Sequence, residues 1–268
     1  MQTRCLWRGA YSDYFFVPSG TKQGGVLSPR IFSLYMDRLI RLLRNRGIGC
    51  HIIGLFLACL LYADDLCLLA PSRGAMQEML NICEVFCNEF CLSFNVKKSK
   101  ALIFGCTKSK TFSPLSLGHE SMEYVSQWTY LGATIVAGRT LSFTCRRELS
   151  NFYRSFNCLL SAVQKPNELV LMNLLYSNCV PSLTYAAEVK DLTSSEMHDC
   201  NVALNDSIRR IFSYNRWEST RTLRQELGFS NITEIFYSLR NTFISKCLKP
   251  GNRNKVILAL ATFLNCDT

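Results

Sequence analysis

The sequence predicts an α+β protein, because two kinds of apolar pattern occupy different parts of the chain. Short aromatic and β-branched runs separated by Gly, Pro and Ser prevail up to about residue 138, whereas apolar residues recur every three or four positions beyond it. With 48% hydrophobic residues among 268, the chain has enough apolar side chains for a substantial core. We therefore predict a mixed region over residues 1–138 and a helical region over residues 139–268.

The mixed region is predicted to begin with a strand over residues 14–17 and a glycine-containing loop. A helix follows over residues 29–46, with Gly47 as its stop. One face of this helix is predicted to carry the apolar residues Ile31, Leu34, Tyr35, Leu39 and Leu42. Residues 52–70 then form a hairpin whose two apolar arms meet at a polar tip.

The remaining elements follow from the same two periodicities. Residues 76–90 are predicted to form an amphipathic helix, and 101–104 and 130–136 to form strands. The helical region is predicted to contain helices over 141–163, 167–180 and 194–212. These helices carry five arginines: Arg146, Arg147, Arg154, Arg209 and Arg210.

The charge balance favours a polyanionic partner. Thirty Lys and Arg against twenty Asp and Glu give a formal net charge of +10, which attracts phosphate groups without regard to sequence. A basic protein with no such partner has the same balance. Charge alone therefore leaves both readings open.

The fourteen cysteines are predicted to be reduced thiols. No Cys-x-x-Cys pair occurs, and the first residues contain no apolar secretory signal, so neither zinc binding nor disulfides are favoured. Cys83, Cys87 and Cys91 recur every fourth residue and are predicted to form a core stripe on one helix face. We expect an intracellular protein, in the nucleus or cytoplasm, with no signal peptide, no transmembrane segment and no membrane partner.

The tip of the hairpin, Tyr62-Ala63-Asp64-Asp65, is the most informative motif. Adjacent carboxylates are hard oxygen ligands, and Mg²⁺ is bound by one or two carboxylates together with substrate phosphates. Asp is also common in polar turns that bind nothing. The apolar arms favour the metal-binding reading, because they hold two like charges side by side in a hairpin that is otherwise buried.

A glycine-rich segment precedes this tip by about forty residues. It reads Pro18-Ser19-Gly20-Thr21-Lys22-Gln23-Gly24-Gly25-Val26-Leu27-Ser28-Pro29. Its glycines allow backbone to approach a ligand closely, and Gln23 offers both a donor and an acceptor. A plain loop before a helix is the alternative reading.

The segment from Pro18 to Pro29 followed by Tyr-Ala-Asp-Asp resembles two successive motifs of reverse transcriptases, and the tip itself resembles the non-LTR, LINE-like retrotransposon and group II intron branches. The resemblance implies a partial right-hand polymerase palm with an antiparallel sheet over residues 1–138, followed by an all-α thumb and C-terminal extension over 139–268. It also implies an RNA template, a DNA primer, deoxynucleotides and a divalent cation, Mg²⁺ or Mn²⁺, and it names no protein partner.

The same resemblance assigns roles to individual residues. Asp64 and Asp65 are the expected catalytic metal ligands, and Tyr62 is expected near the primer. Gly20, Gln23 and Gly24 are expected at the template or nucleotide. Two further segments match in order: residues 92–99 resemble the family segment that ends in Lys-Ser, and Tyr130-Leu131-Gly132 resembles the primer grip. Lys98 is thus expected near phosphate, although a solvated lysine cluster is the alternative.

A looser likeness lies near residue 185. Residues 183–189 resemble a Tyr-Gly-x-Glu-x-Trp pattern of retroelement proteins, with Ala187 and Lys190 at the Gly-like and Trp-like positions. The family's first catalytic aspartate is absent, since only Asp13 precedes the glycine loop. We therefore expect a C-terminal fragment of an RNA-directed DNA polymerase with little or no activity alone. A noncatalytic nucleic-acid-binding remnant and an intron maturase-like protein are the alternatives.

Overall fold

The structure is a computed structural model that describes residues 2–16, 24–52, 54–105, 112–162, 167–249, 254 and 256–258. It contains two units. The first consists of Met1–Phe94 and Leu115–Ser121, and the second of Asn95–Pro114 and Met122–Thr268. The predicted boundary near residue 138, and the palm and thumb on either side of it, stay predictions.

The described elements up to residue 94 are short strands and two long helices. In chain order they are β1 (Gln2–Thr3), β2 (Leu6–Trp7), β3 (Ala10–Tyr11), β4 (Phe15–Phe16), α1 (Ser28–Arg46), β5 (His51–Ile52), β6 (Leu55–Phe56), β7 (Cys59–Tyr62), β8 (Asp65–Leu68) and α2 (Arg73–Phe90). The pairs β1–β4, β2–β3, β5–β6 and β7–β8 are all antiparallel.

The described elements after residue 94 are strands followed by helices. They are β9 (Lys100–Ala101), β10 (Leu115–Leu117), β11 (Glu120–Tyr124), β12 (Gln127–Tyr130), β13 (Ala133–Val136), β14 (Ser142–Thr144), α3 (Arg146–Ala162), α4 (Glu168–Leu174), a π-helical turn (Leu175–Cys179), α5 (Val180–Leu183), α6 (Ser194–Phe212), α7 (Arg221–Glu226) and α8 (Ile232–Cys247). β12, β13 and β14 form an antiparallel sheet, and β9 pairs with β11 in parallel.

Each unit has a core of its own. In the first unit, α1 and α2 pack beneath the β7–β8 hairpin through Met36, Leu39, Leu43, Ala58, Met79, Cys83, Phe86 and Cys87. The second unit has a larger core of seventeen buried residues, among them Phe152, Phe156, Met172, Leu204 and Ile208. The prediction of an α+β chain is confirmed at this level, with small sheets and eight α-helices in the described residues.

The long helices begin and end close to where local signals place them. Helix α1 ends at Gly47, as predicted, and α2 begins after Ser72, whose hydroxyl accepts from the Ala75 backbone N–H. In α6 the cap residue Thr193 and Glu196 form a reciprocal capping box. None of the helices in the described residues is long and apolar enough to cross a membrane.

The hairpin prediction for residues 52–70 is wrong in its extent. The arms span only Cys59–Tyr62 and Asp65–Leu68, and β5 and β6 form a separate small hairpin before them. Gly54, in the turn between β5 and β6, has a positive φ of 72° and breaks the apolar run that reads as one long arm. The tip at Ala63 and Asp64 is where it was predicted.

The single strand predicted over residues 130–136 is also wrong. Residues 130 and 133 face each other across a two-residue turn formed by Leu131 and Gly132, both with positive φ. That combination is the backbone of a type I′ hairpin turn. Gly132 therefore lies in the turn and ends a strand, where the prediction placed it inside one.

The stripes predicted for α1 and α2 are wrong in part. Helix α1 buries Met36, Leu39 and Leu43, whereas Leu34 and Tyr35 are 72% and 50% exposed. This helix has apolar side chains on more than one side, so the packing partner decides which side is buried. In α2, Cys83 and Cys87 are buried as predicted, but Cys91 ends the helix in a left-handed conformation and is exposed.

Candidate functional site

The β7–β8 hairpin brings Tyr62, Asp64 and Asp65 together at its tip. Tyr62 pairs with Asp65 as the last pair of the ladder, so Ala63 and Asp64 form a two-residue turn. Ala63 has a φ of 53°, a conformation that costs an L-residue about 1 to 2 kcal/mol. The turn therefore holds the two neighbouring carboxylates in a tight and mildly strained backbone.

The tip is open to solvent. Tyr62 is 65% exposed, and Ala63, Asp64 and Asp65 are exposed as well. Neither carboxylate has a hydrogen-bond or ion-pair partner among the residues that the structure describes. Both carboxylates are thus free to bind a ligand from solution.

Backbone hydrogen bonds of Cys50 hold the base of the β7–β8 hairpin in place. The Cys50 backbone N–H donates to the Leu69 carbonyl at 3.0 Å, and the Leu57 N–H donates to the Cys50 carbonyl at 2.9 Å. Gly49 has a φ of 106°, and a Cβ there would lie 2.2 Å from the Ala58 Cβ. Only glycine fits this crossing, which anchors the hairpin to the core below.

Thiols beneath the hairpin act as apolar side chains. Burial raises the pKa of Cys59 to about 11, and the neighbouring Cys67 adds to the increase. Burial likewise raises the pKa of Cys83 to about 12. A thiol with so high a pKa stays protonated at neutral pH, and the thiolate is the form that binds metals. These cysteines therefore support the hairpin by packing.

Two adjacent carboxylates suit Mg²⁺ or Mn²⁺ in the type of donor they offer. Mg²⁺ is held by one or two carboxylates while waters and phosphates complete its shell. Among the described residues, no group of three or more His, Cys, Asp or Glu side chains is arranged to hold a metal. Asp64 and Asp65 therefore form a two-carboxylate donor set that needs oxygen ligands from elsewhere.

Of the predicted glycine loop, the structure describes only the last part. Gln23 and Gly20 lie outside the described residues. Gly24 is exposed, and the Ser28 backbone N–H donates to the Gly25 carbonyl at 3.2 Å, so the chain turns directly into α1. The contacts predicted for this loop with template or nucleotide stay predictions.

The second unit places Tyr130, Leu131 and Gly132 at the β12–β13 turn. The Tyr185 hydroxyl donates to the Leu131 carbonyl at 2.7 Å, and the Tyr185 ring lies against Gly132 so closely that a Cβ would be 2.9 Å from it. Two segments singled out separately in the sequence, 130–132 and 183–189, are thus in direct contact. In residues 183–189, the left-handed backbone that favours glycine is at Ala186 (φ 57°). The sequence pattern placed this Gly-like position one residue later, at Ala187.

Lys98 lies in an exposed turn of the second unit. The Asn95 side-chain oxygen accepts from the Lys98 backbone N–H at 3.1 Å and so fixes the turn. Among the described residues the Lys98 side chain has no ion-pair partner, which agrees with both the phosphate-binding and the solvated-lysine readings. Asp64 and Lys98 belong to different units.

A buried ion pair was missed by sequence reasoning. The Lys190 ammonium donates to Glu148 Oε1, and the two side chains are only 1% and 4% exposed. Glu148 directly follows two arginines, Arg146 and Arg147, in a helix with a polar face, so its sequence context predicts a solvated residue. The only available signal was Lys190 itself, at a position where the retroelement pattern has Trp.

Comparison with known families gives a match to the first part of the chain. Residues 4–135 match the family model described as reverse transcriptase (RNA-dependent DNA polymerase). This segment, just under half of the chain, is therefore similar in sequence to reverse transcriptases. The match includes both turns that carry predicted site residues, at 62–65 and at 130–132, so the reverse transcriptase resemblance predicted from motif order is confirmed.

Retrotransposon proteins from insects are similar to this chain. The chain is 34% identical over 136 residues to the Retrovirus-related Pol polyprotein from type-2 retrotransposable element R2DM of Drosophila melanogaster. This alignment covers 47% of the chain and 13% of that protein. It is 24% identical over 260 residues to the polyprotein from type-1 retrotransposable element R2 of Popillia japonica, covering 93% of the chain and 42% of that protein.

A protein from a different mobile element is also similar to the chain. The RNA-directed DNA polymerase from mobile element jockey of Drosophila funebris is 25% identical over 242 residues, which is 84% of the chain and 25% of that protein. The chain thus spans less than half the length of each of these relatives. The predicted likeness to non-LTR retrotransposon proteins is confirmed.

Proposed function

We propose that this chain is part of an RNA-directed DNA polymerase of a non-LTR retrotransposon and that Asp64 and Asp65 bind its divalent cation. The observation that carries the proposal is the β7–β8 tip, where two adjacent carboxylates are exposed and have no partner among the described residues. The tip lies within the segment that matches the reverse transcriptase family. When bound, the cation would stabilise the charge of the reacting phosphate oxygens.

The chain's own residues in each unit would bind and orient the substrates. Tyr62 presents an exposed ring next to the carboxylates, in keeping with a place beside the primer. The Leu131–Gly132 turn, held by Tyr185, supports the proposed primer grip. Lys98, with Gly24, Gln23 and Gly20, completes the proposed contacts with nucleotide and template, and residues 1–138 and 139–268 are proposed to be palm and thumb.

Metal binding is the direct test of this proposal. Mn²⁺ is titrated into the full chain while free Mn²⁺ is measured by electron paramagnetic resonance. We expect Asp64→Asn and Asp65→Asn each to weaken binding about tenfold or more, because each removes one of two charged ligands. Asp191→Asn removes a carboxylate that is 92% exposed and should change nothing. Equal Mn²⁺ affinity in all four proteins would refute the assignment.

Primer extension examines the polymerase activity itself. The expectation is little or no product from the chain alone with an RNA template, a DNA primer, deoxynucleotides and Mg²⁺. Full-length product from the wild type, lost in Asp64→Asn, would instead establish that the chain polymerises without further sequence. Product that persists in Asp64→Asn would remove Asp64 from the catalytic site.

A second candidate function is nucleic-acid binding without catalysis. Helix α3 carries Arg146, Arg147 and Arg154, all exposed, and none of them forms an ion pair with a residue that the structure describes. Arg209, by comparison, pairs with Asp206, and Arg210 donates to Asn157. Unpaired arginines on one helix favour phosphate contacts that position a backbone without reading its sequence.

The salt dependence of the affinity for nucleic acid tests this second candidate function. The logarithm of the affinity for an RNA–DNA hybrid should fall linearly with the logarithm of salt concentration. Arg146→Gln and Arg154→Gln should each reduce the slope by about one. Arg41→Gln is the matched control, because Arg41 already pairs with Asp37 at 2.5 Å. A slope that is the same in wild type and both α3 variants would exclude α3 from the interface.

A further inference from the structure

Two thiols meet in the core of the second unit. Cys145 directly precedes α3, and Cys200 lies within α6. Both belong to the same core cluster, where they are 2% and 0% exposed. The two side chains form a hydrogen bond with each other, so their sulfur atoms are in contact.

A second contact independently brings Cys145 to the same place on α6. The Cys145 thiol donates to the Glu196 backbone carbonyl at 3.9 Å. In an α-helix the carbonyl of one residue points to the backbone N–H four residues later, so the Glu196 carbonyl points to Cys200. The Cys145 sulfur therefore lies where the Cys200 side chain begins.

The hydrogen bond makes the two thiols unequal. It lowers the pKa of Cys145 and raises the pKa of Cys200, because the Cys200 thiol donates to the Cys145 thiolate. In Cys145 this effect outweighs burial and the nearby Glu196 and Glu148 carboxylates, which act in the opposite direction. In Cys59 of the first unit, by contrast, burial raises the pKa. Cys145 thus loses its proton more readily, and the thiolate is the form that reacts with oxidants.

Access to the two thiols is from the end of a sheet. Strand β14 ends at Thr144, immediately before Cys145, and is an edge strand of the β12–β13–β14 sheet. Helix ends and edge strands open more readily than the centre of a core. Brief local opening there admits hydrogen peroxide, which is little larger than water, and excludes bulky thiol reagents.

We propose that Cys145 and Cys200 are a reversible redox site whose oxidation by a peroxide forms a disulfide that fixes the start of α3 to α6. The Cys145 thiolate attacks one peroxide oxygen, the O–O bond breaks, and the departing hydroxide takes up a proton to give water and a sulfenic acid. The Cys200 sulfur then attacks the Cys145 sulfur, and the Cys200 proton leaves with the sulfenic hydroxyl as a second water. Two thiols and one peroxide thus give one disulfide and two waters, and an added dithiol reverses the bond by exchange.

The disulfide would stabilise the second unit. It would close a loop of about 55 residues, and closing a long loop restricts mainly the unfolded chain. Helix α3, which carries the arginines of the second candidate function, would be tied at its first residue to α6. The redox site itself does not depend on nucleic-acid binding or on metal binding at the tip.

Peptide mapping of the full chain tests the pairing. The folded chain is treated with hydrogen peroxide, its remaining thiols are blocked with N-ethylmaleimide in urea, and it is cut with trypsin. Residues 140–146 and 191–209 are tryptic peptides that contain one cysteine each, Cys145 and Cys200. We expect mass spectrometry to find these two peptides joined, and to find them separate after dithiothreitol. A chain oxidised in urea should instead give a mixture of pairings.

Urea unfolding measures the consequence of the disulfide. The oxidised wild type should have a midpoint about 1 M higher than the reduced wild type, given the effect of closing such a loop and the usual slope in urea. Cys200→Ala should lose both the joined peptide and the higher midpoint. Cys179→Ala is the matched control, because it removes another buried thiol of the same core and should keep both.

Three results would overturn the proposal. The first is recovery of Cys145 and Cys200 unlinked after oxidation, whether alkylated or as sulfinic acids. The second is the same mixture of pairings from the folded and the urea-unfolded chain, and the third is a joined peptide with no rise in the urea midpoint. The peptide map needs only the wild type, so it decides the pairing even if Cys200→Ala does not fold.

Discussion

The two units keep their most informative charged residues in opposite environments. The first unit carries Asp64 and Asp65 at an exposed tip, with no partner among the described residues, whereas the second buries Glu148 against Lys190. Exposed like charges cost little in folding because water solvates them, but a buried charge needs its partner. The carboxylates at the tip are therefore available for a ligand, while the buried pair is part of the fold.

Removal of the Lys190 charge from the buried pair should lower the stability of the fold more than any other change proposed here. Lys190→Met leaves the Glu148 carboxylate buried without its cation, which should lower the free energy of unfolding by about 3 to 5 kcal/mol. The double variant Glu148→Met/Lys190→Met should recover most of that loss, since apolar residues of similar volume can replace a buried pair. Urea unfolding measures both. A loss below about 1 kcal/mol in Lys190→Met would mean that the pair is solvated.

The second effect tests the support of the exposed tip. In Gly49→Ala the new methyl group would overlap the Ala58 Cβ, 2.2 Å away, in a backbone with a φ of 106°. We expect a loss of about 2 to 4 kcal/mol from overpacking and backbone strain. Gly74→Ala is the control, because a Cβ there meets no atom within 4 Å. Equal stability of the two variants would show that the crossing at Gly49 can relax.

The third prediction concerns Gly132 in the β12–β13 turn of the second unit. A Cβ at Gly132 would contact the Tyr185 ring at 2.9 Å, but that ring is half exposed and can move. Gly132→Ala should therefore cost about 1 to 2 kcal/mol, mainly from the positive φ of 81°. Thermal unfolding measures the loss. A loss larger than that of Gly49→Ala would reverse the expected order of rigidity of the two turns.

Substitution of Asp64 at the exposed tip should have the smallest effect on stability. Asp64→Asn should change the free energy of unfolding by less than about 0.5 kcal/mol, the usual range for exposed surface substitutions. The same variant is expected to lose Mn²⁺ binding, so stability and ligand binding should separate at the tip. A clear stabilisation would point to relief of repulsion between Asp64 and Asp65. A marked destabilisation would reveal a structural role for the carboxylate.

Local signals in the sequence predicted the long elements well. Helices α1, α2 and α6 lie close to their predicted positions because apolar periodicity and the stop at Gly47 are local signals, while the caps Ser72 and Thr193 were found only in the structure. The tip at Ala63 and Asp64 was placed correctly because adjacent aspartates between apolar arms admit few arrangements other than a turn. The short hairpins at 51–56 and 127–136 were missed or merged, since apolar runs do not reveal where a glycine reverses the chain.

The sequence by itself determined the resemblance to reverse transcriptases and the residues that carry it, because motif order and spacing are properties of the chain. Only the tertiary structure decided which face of α1 is buried, that Tyr185 holds the Leu131–Gly132 turn, and that Glu148 meets Lys190 across 42 positions. These contacts join residues far apart in the chain, and burial then decides which charges need a partner inside the protein and which are left for a ligand.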